Sequence, residues 1–311
     1  MRKPLPPETL QDVLREGLMC FPATDFAADG SLAIEPFARR LEWLLGYRPN
    51  VVVATGGAGE FFSLTAPEVA EVTAATVEVA AGRIPVIAAS GFGTMAAIDF
   101  ARQAERLGAD GLLLLPPYLT ESPQDGLVAH VDAVCKATGL GVIVYNRANC
   151  VLSAASIATL AEANRNLVAV KDGKGDFEEL LRTQALLGDR ITLINGMPTA
   201  EVYAQAYAGM GIPSYSSAIF NFLPRSAMAF HAAVAARDGD AIAAFVRDFL
   251  VPYCQIRRRR AGYAVSIIKA GLDIVGRGAG PVRPPLADLT EEERASLAAL
   301  IERAGPQERV Q

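Results

Sequence analysis

Eight short apolar runs, separated by longer amphipathic segments, constrain this chain more than any other feature. They lie at 17–21, 51–54, 85–89, 111–115, 141–145, 167–170 and 191–194, with a weaker one at 212–217. A run without polar alternation suits a strand buried on both faces, and such strands form parallel sheets covered by helices. Segments 67–80, 94–107, 123–137, 153–163 and 199–208 supply intervening helices, each opened by Pro, Ser or Thr, residues suited to a first turn. Eight strand–helix units predict an α/β fold, a (β/α)8 TIM barrel. The competitor is an open doubly wound sheet, but that fold more often has fewer strands, and nothing marks a reversal of strand order.

After the eighth run the alternation stops, and 224–236, 240–255, 263–275 and 291–303 read as successive helices. The expected organisation is a barrel with its N-terminal segment over 1–223 and a C-terminal helical extension over 224–311. No Ser/Gly-rich linker separates them, so the extension is expected to pack behind the barrel. With 311 residues, 51% of them hydrophobic, the chain can fill so large a core.

A net charge of -5 offers no attraction to phosphate backbones or anionic lipid, so neither nucleic acid nor a membrane surface is an expected partner. No apolar run reaches the roughly 18 residues of a membrane span, and polar residues rather than an apolar stretch follow the N-terminal seven. Cys20, Cys135, Cys150 and Cys254 are widely spaced and form no CxxC, which suits reduced thiols in a cytoplasmic protein.

In a parallel barrel the chemistry sits at the carboxyl ends of the strands. Lys171 ends the sixth apolar run, where burial disfavours its ammonium form and favours the free amine that attacks a ketone. A solvated lysine at a strand end is the bland alternative. Tyr145 holds the equivalent position one strand earlier, where its phenol can relay protons to a Schiff base, or simply serve as a rim aromatic. Gly57, Ala58 and Gly59 follow the second run and offer backbone N–H groups to a carboxylate, or form a tight turn; Glu60 begins the next helix and reads as structural.

His130 and His231 fall in helical segments without partners at ligand spacing, so no metal site is expected and carbanion chemistry would need a lysine imine. Gly91-Phe92-Gly93-Thr94-Met95-Ala96 fits the G-x-G-x-x-A of a dinucleotide site, though after the third strand rather than the first. Arg257-Arg258-Arg259-Arg260 reads as a solvated face or an intersubunit contact.

Together these residues give the chain its resemblance. Gly56-Gly57-Ala58-Gly59-Glu60, Pro116-Pro117-Tyr118, Tyr145-Asn146, Lys171-Asp172 and the segment 280–286, in this order, resemble the motifs of the dihydrodipicolinate synthase and N-acetylneuraminate lyase superfamily. The resemblance runs along nearly the whole chain. It implies that Lys171 forms the Schiff base, Tyr145 is the catalytic tyrosine, and Gly57 to Gly59 hold the carboxylate beside the ketone. Three departures bear on the branch: Gly57-Ala58 replaces the two threonines of the synthases, Leu119 a second tyrosine and Cys150 an arginine. The hydroxyl relay of the synthases is then missing.

The runs GGAGEFFSL, YNRAN and KDGKGD resemble instead a branch that dehydrates and decarboxylates a keto sugar diacid. That implies a small-molecule keto sugar acid as substrate, no cofactor, and a homo-oligomer, either dimer or tetramer. Arg147 can then pair with the far carboxylate or make a structural ion pair at the rim, and Asn195 and Ser217 can contact hydroxyls or that carboxylate. Alternatives are a 2-keto-3-deoxy acid aldolase or synthase-like enzyme of the same superfamily, an NAD(P)-dependent oxidoreductase using the Gly91 loop, and a non-catalytic keto-acid-binding barrel.

Overall fold

The computed structural model describes residues 3–119 and 121–304. Each of the eight apolar runs contains a strand: β1 (Leu18–Cys20), β2 (Val51–Ala54), β3 (Val86–Ser90), β4 (Gly111–Leu114), β5 (Gly141–Asn146), β6 (Leu167–Asp172), β7 (Thr192–Asn195) and β8 (Tyr215–Ser217). All pair in parallel in sequence order, and β8 closes on β1 to complete a barrel. The strands β5 and β6 run past their apolar runs, so Asn146, Lys171 and Asp172, like Tyr145 at the end of its run, are not loop residues. They are the last rungs of a ladder that sets Tyr145 beside Lys171 and Asn146 beside Asp172.

A ring of helices covers the outer faces: α2 (Ile34–Leu45), α3 (Ala66–Ala80), α4 (Thr94–Leu107), α5 (Gln124–Lys136), α6 (Ala154–Ala163), α7 (Phe177–Leu187), α8 (Ala204–Gly209) and α9 (Pro224–Ala236). Thr65 and Glu68 form a reciprocal capping box on α3, and Ser153 and Asp176 accept N–H bonds at the starts of α6 and α7. The helix expected over 199–208 opens instead with a 3-10 turn, Ala200–Tyr203, ahead of α8. Following β8, α9 lies in the outer ring, its His231 ring 5.4 Å from that of Tyr215.

Two further features lie outside the strand–helix alternation. An N-terminal helix, α1 (Pro7–Leu14), closes the lower end of the barrel with Leu10 and Leu14, which join the interior layer of Met19, Val51, Ile87 and Ile143. At the other end of the chain, α10 (Gly239–Phe245) runs into α11 (Val251–Arg257) through a turn of π-helix, Val246–Leu250. Pro252, in the first turn of α11, has no N–H to donate, so the single helix expected over 240–255 changes pitch just before it. Rings of Phe230, Phe245, Phe249, Tyr253 and Phe222 lie 5.0–6.1 Å apart in succession, tying this segment to α9 and to the turn after β8. Helices α12 (Tyr263–Ile274) and α13 (Glu291–Ala304) follow, and no described helix is long and apolar enough to cross a membrane.

The segment 280–286 acts as a strap. Lys269 of α12, buried, pairs with the buried Glu60 carboxylate at 2.8 Å and donates to the Pro281 carbonyl at 2.7 Å. The Arg283 N–H donates to the other Glu60 oxygen at 3.1 Å, while its guanidinium binds Glu68 of α3 at 2.5 and 2.9 Å. Glu60 thus ties the loop after β2 to the C-terminal helices. At Gly280 the strap passes so close that a Cβ would stand 1.8 Å from the Phe26 carbonyl oxygen, with φ at +71°. Gly280→Ala is therefore expected to cost about 2–5 kcal/mol through left-handed strain and overpacking. Urea unfolding measures it, and an unchanged midpoint would contradict the close packing described.

Candidate active site

Lys171 enters the bore from the end of β6 and is buried. Its Nζ lies 3.9 Å from the centre of the Tyr145 ring and 4.9 Å from that of Phe21, so two aromatic faces meet the amine. Burial lowers the Lys171 pKa; Tyr145 opposes that shift and Arg147 reinforces it. Burial pushes the Tyr145 phenol up, but Lys171 and Arg147 outweigh it, and the net shift is downward. The phenol donates to the Gly196 carbonyl at 2.7 Å and accepts from Arg147 Nη1 at 3.0 Å. The site thus holds an amine with a weakened hold on its proton next to a phenol able to exchange one.

Close backbone approach makes this pairing possible. A Cβ on Gly196 would stand 2.5 Å from Lys171 Cγ and 3.0 Å from the Tyr145 ring, so only glycine leaves room for both side chains. Asp172, the next residue of β6, turns the other way. Its oxygens accept the N–H groups of Lys174 and Gly175 at 3.0 Å each, and the Tyr207 hydroxyl, which fixes the loop after β6.

Above the pair is a cavity of about 370 Å³ at the carboxyl ends of the strands. Lys171, Tyr145, Arg147, Gly57, Ala58 and Ser217 all line it, so the structure brings together six of the residues singled out in the sequence. Among the described residues the N–H groups of Gly57 and Ala58 have no hydrogen-bond partner, which leaves them open to an anion. Gly59 is placed differently. It does not line the cavity; its carbonyl accepts the Thr24 hydroxyl at 2.6 Å, and it shapes the turn beneath Gly57 and Ala58.

Asn195 also departs from expectation. The strand end places it next to the site, but its side chain turns away, donating to the Ala200 carbonyl at 3.0 Å and accepting the Met197 N–H at 3.2 Å. It is fully buried and latches the loop after β7 rather than facing the cavity. Ser217 faces the cavity, yet its hydroxyl is engaged: it donates to the buried Glu201 carboxylate and accepts the Phe220 N–H at 3.0 Å. Arg147 has the Tyr145 hydroxyl as its partner and, among the described residues, no carboxylate, so the structural ion pair at the rim is not what holds it.

The extension was expected behind the barrel but helps to wall the site. Ala264, Val265 and Ile268 of α12 line the cavity, and so does Arg257 at the end of α11. Arg257 donates to the Thr199 hydroxyl, whereas Arg258, Arg259 and Arg260 are exposed. Reading the four arginines together as a solvated face or an intersubunit contact did not single out Arg257, the member that lines the cavity. Nothing in a run of like residues distinguishes one side chain's direction from the next.

The dinucleotide alternative gains no support from the Gly91–Gly93 turn, which follows β3 and packs Phe92, at φ +66°, into an aromatic cluster, 5.2 Å from Phe61 and 6.2 Å from Phe100. Among the described residues no group of three His, Cys, Asp or Glu side chains is placed to hold a metal ion. A larger cavity, about 490 Å³, opens between Gln124 of α5, Ile157 of α6 and Leu180 of α7 and contains neither Lys171 nor Tyr145.

Residues 14–304 match the dihydrodipicolinate synthetase family. A protein of Pseudomonas entomophila, named "Probable 5-dehydro-4-deoxyglucarate dehydratase", is 52% identical over 97% of this chain and 99% of its own length. One of the same name from Leptothrix cholodnii is 50% identical over the same shares. Among solved structures, dihydrodipicolinate synthase from Bacillus clausii superposes with a TM-score of 0.87 at 26% identity, covering 94% of this chain and 99% of that one. The E. coli protein YagE, of the dihydrodipicolinic acid synthase family and solved in complex with pyruvate, gives a TM-score of 0.82 at 25% identity, covering 93% and 98%.

Proposed function

The chain belongs to the dihydrodipicolinate synthetase family, and from that premise we propose that it dehydrates 5-dehydro-4-deoxyglucarate through a Schiff base on Lys171, releasing water, carbon dioxide and 2,5-dioxopentanoate. The protein is a lyase of the dehydratase type, and the names of its relatives support a role in glucarate catabolism. The observation that carries the mechanism is the buried Lys171 amine held 3.9 Å from the Tyr145 ring at the floor of an open cavity.

In this reading the free amine attacks the substrate ketone, and Tyr145 carries protons while the carbinolamine loses water to become an imine. The N–H groups of Gly57 and Ala58 hold the carboxylate next to that carbon, as the pyruvate complex of YagE makes reasonable for a 2-keto acid. The protonated imine acidifies the adjacent CH2, whose proton leaves to give an enamine. The enamine expels the β-hydroxyl as water. The resulting conjugated imine takes up the electron pair released when the far carboxylate departs as carbon dioxide, and after reprotonation and tautomerisation hydrolysis frees the aldehyde and restores Lys171.

The test is a product analysis with purified protein and 5-dehydro-4-deoxyglucarate. One carbon dioxide and one 2,5-dioxopentanoate per substrate consumed are expected. Release of pyruvate instead would replace the dehydratase assignment with an aldolase.

A further inference from the structure

Two arginines line the cavity, and the structure gives them different stations. Arg147 follows β5 and is bound to the Tyr145 hydroxyl, which places it with the groups that handle the imine. Arg257 comes from outside the barrel, on α11, and lines the same cavity as Ser216 and Ser217 of β8. Its Nη1 is fixed by the Thr199 hydroxyl in the loop after β7, a loop that Asn195 holds in place through Ala200 and Met197. Among the described residues no carboxylate pairs with Arg257, so most of its five N–H donors stay available to a ligand.

We infer that Arg257 binds the carboxylate at the far end of the substrate and is the residue that selects a keto diacid over a keto monoacid. The inference rests on the reaction proposed above for its substrate class but not for its geometry. A half-buried guanidinium, anchored at one nitrogen and open at the others, is suited to clamp a carboxylate. Burial pushes the neighbouring Glu201 carboxyl up, against the hydrogen bond from Ser217 and the charge of Arg257, and its Oε1 is engaged by Ser217 and the Ile219 N–H rather than by the guanidinium. Both arginines are anchored at one nitrogen, Arg147 on the Tyr145 phenol beside Lys171 and Arg257 on Thr199 in the loop after β7, and this difference in anchor assigns the far carboxylate to Arg257.

The test uses two six-carbon probes that form an imine but lack the hydroxyls needed for turnover. 2-Oxoadipate has a far carboxylate at the substrate's spacing; 2-oxohexanoate ends in a methyl group. Half-maximal borohydride trapping by the wild-type protein is expected at a concentration on the order of 10- to 100-fold lower for 2-oxoadipate. In R257A the ratio should collapse toward one, and in R257K part of it should return. A preference that survives in R257A overturns the inference, as does the absence of any preference in the wild type. Loss of trapping with both probes would also overturn it, since Arg257 would then serve the imine or the fold. If the wild type prefers 2-oxoadipate through Arg257 but does not consume 5-dehydro-4-deoxyglucarate, the reaction is wrong and the clamp stands.

Discussion

Lys171→Ala is expected to lower kcat on the order of 10⁴-fold or more, because in the proposed mechanism its amine forms the imine and, among the described residues, no other amine lines the cavity. Steady-state turnover with 5-dehydro-4-deoxyglucarate measures it, and residual activity within tenfold of the wild type would remove Lys171 from the nucleophile's role. The same substitution is expected to leave the protein folded. Burial holds the Lys171 pKa below its ordinary value of 10.5, so across the pH range between the lowered pKa and 10.5 the unfolded chain binds more protons than the folded one. In that range the contribution of Lys171 to stability rises with pH. Lys171→Ala lacks this term, so the stability difference between wild type and variant should shift in the wild type's favour as pH rises toward 10.5. Paired urea titrations at two pH values report the sign.

Tyr145→Phe tests the phenol separately from the ring. Phenylalanine keeps the aromatic face against Lys171 and removes only the hydroxyl that donates to Gly196 and accepts from Arg147. A loss in kcat on the order of 10²–10⁴-fold is expected, the range of a positioned acid–base group. Imine formation with pyruvate, followed by borohydride trapping, should be slowed rather than abolished, since the amine remains. The pH dependence of kcat should also differ between wild type and variant, because Lys171 and Tyr145 each shift the other's pKa. An unchanged kcat would leave Tyr145 as a packing residue.

Much of this site could be read from the sequence because the barrel imposes a strong rule on it. A strand buried on both faces must be apolar along its length, so the first polar residue after each run marks the mouth, which is how Lys171 and Tyr145 stand out. What position in a strand cannot give is the direction of a side chain. Asn195 occupies the right place and faces the loop, and Arg257 sits in a basic run and faces the cavity. Gly196 bears no side chain to notice, yet without it the lysine and tyrosine could not meet. Helix α1 was hidden for a different reason: it is short, follows a proline-rich start, and shows its apolar face only through Leu10 and Leu14, whose partners lie far along the chain in the bore.

The reach of the extension was equally hidden. Its helices are apparent from their periodicity, but their place over the mouth depends on contacts distant in sequence, such as Lys269 on Glu60 and Arg283 on Glu68. Those contacts tie down α12 and the strap, from which Ala264, Val265, Ile268 and Leu286 wall the cavity.

The central claim is the covalent one, and borohydride reduction during turnover tests it most directly. The protein is mixed with 5-dehydro-4-deoxyglucarate, reduced, and analysed by intact-mass and peptide mass spectrometry. A single adduct on Lys171 is predicted, its mass showing whether water and carbon dioxide have already left. Turnover without any adduct, under conditions that trap an enzyme known to form an imine, would contradict it.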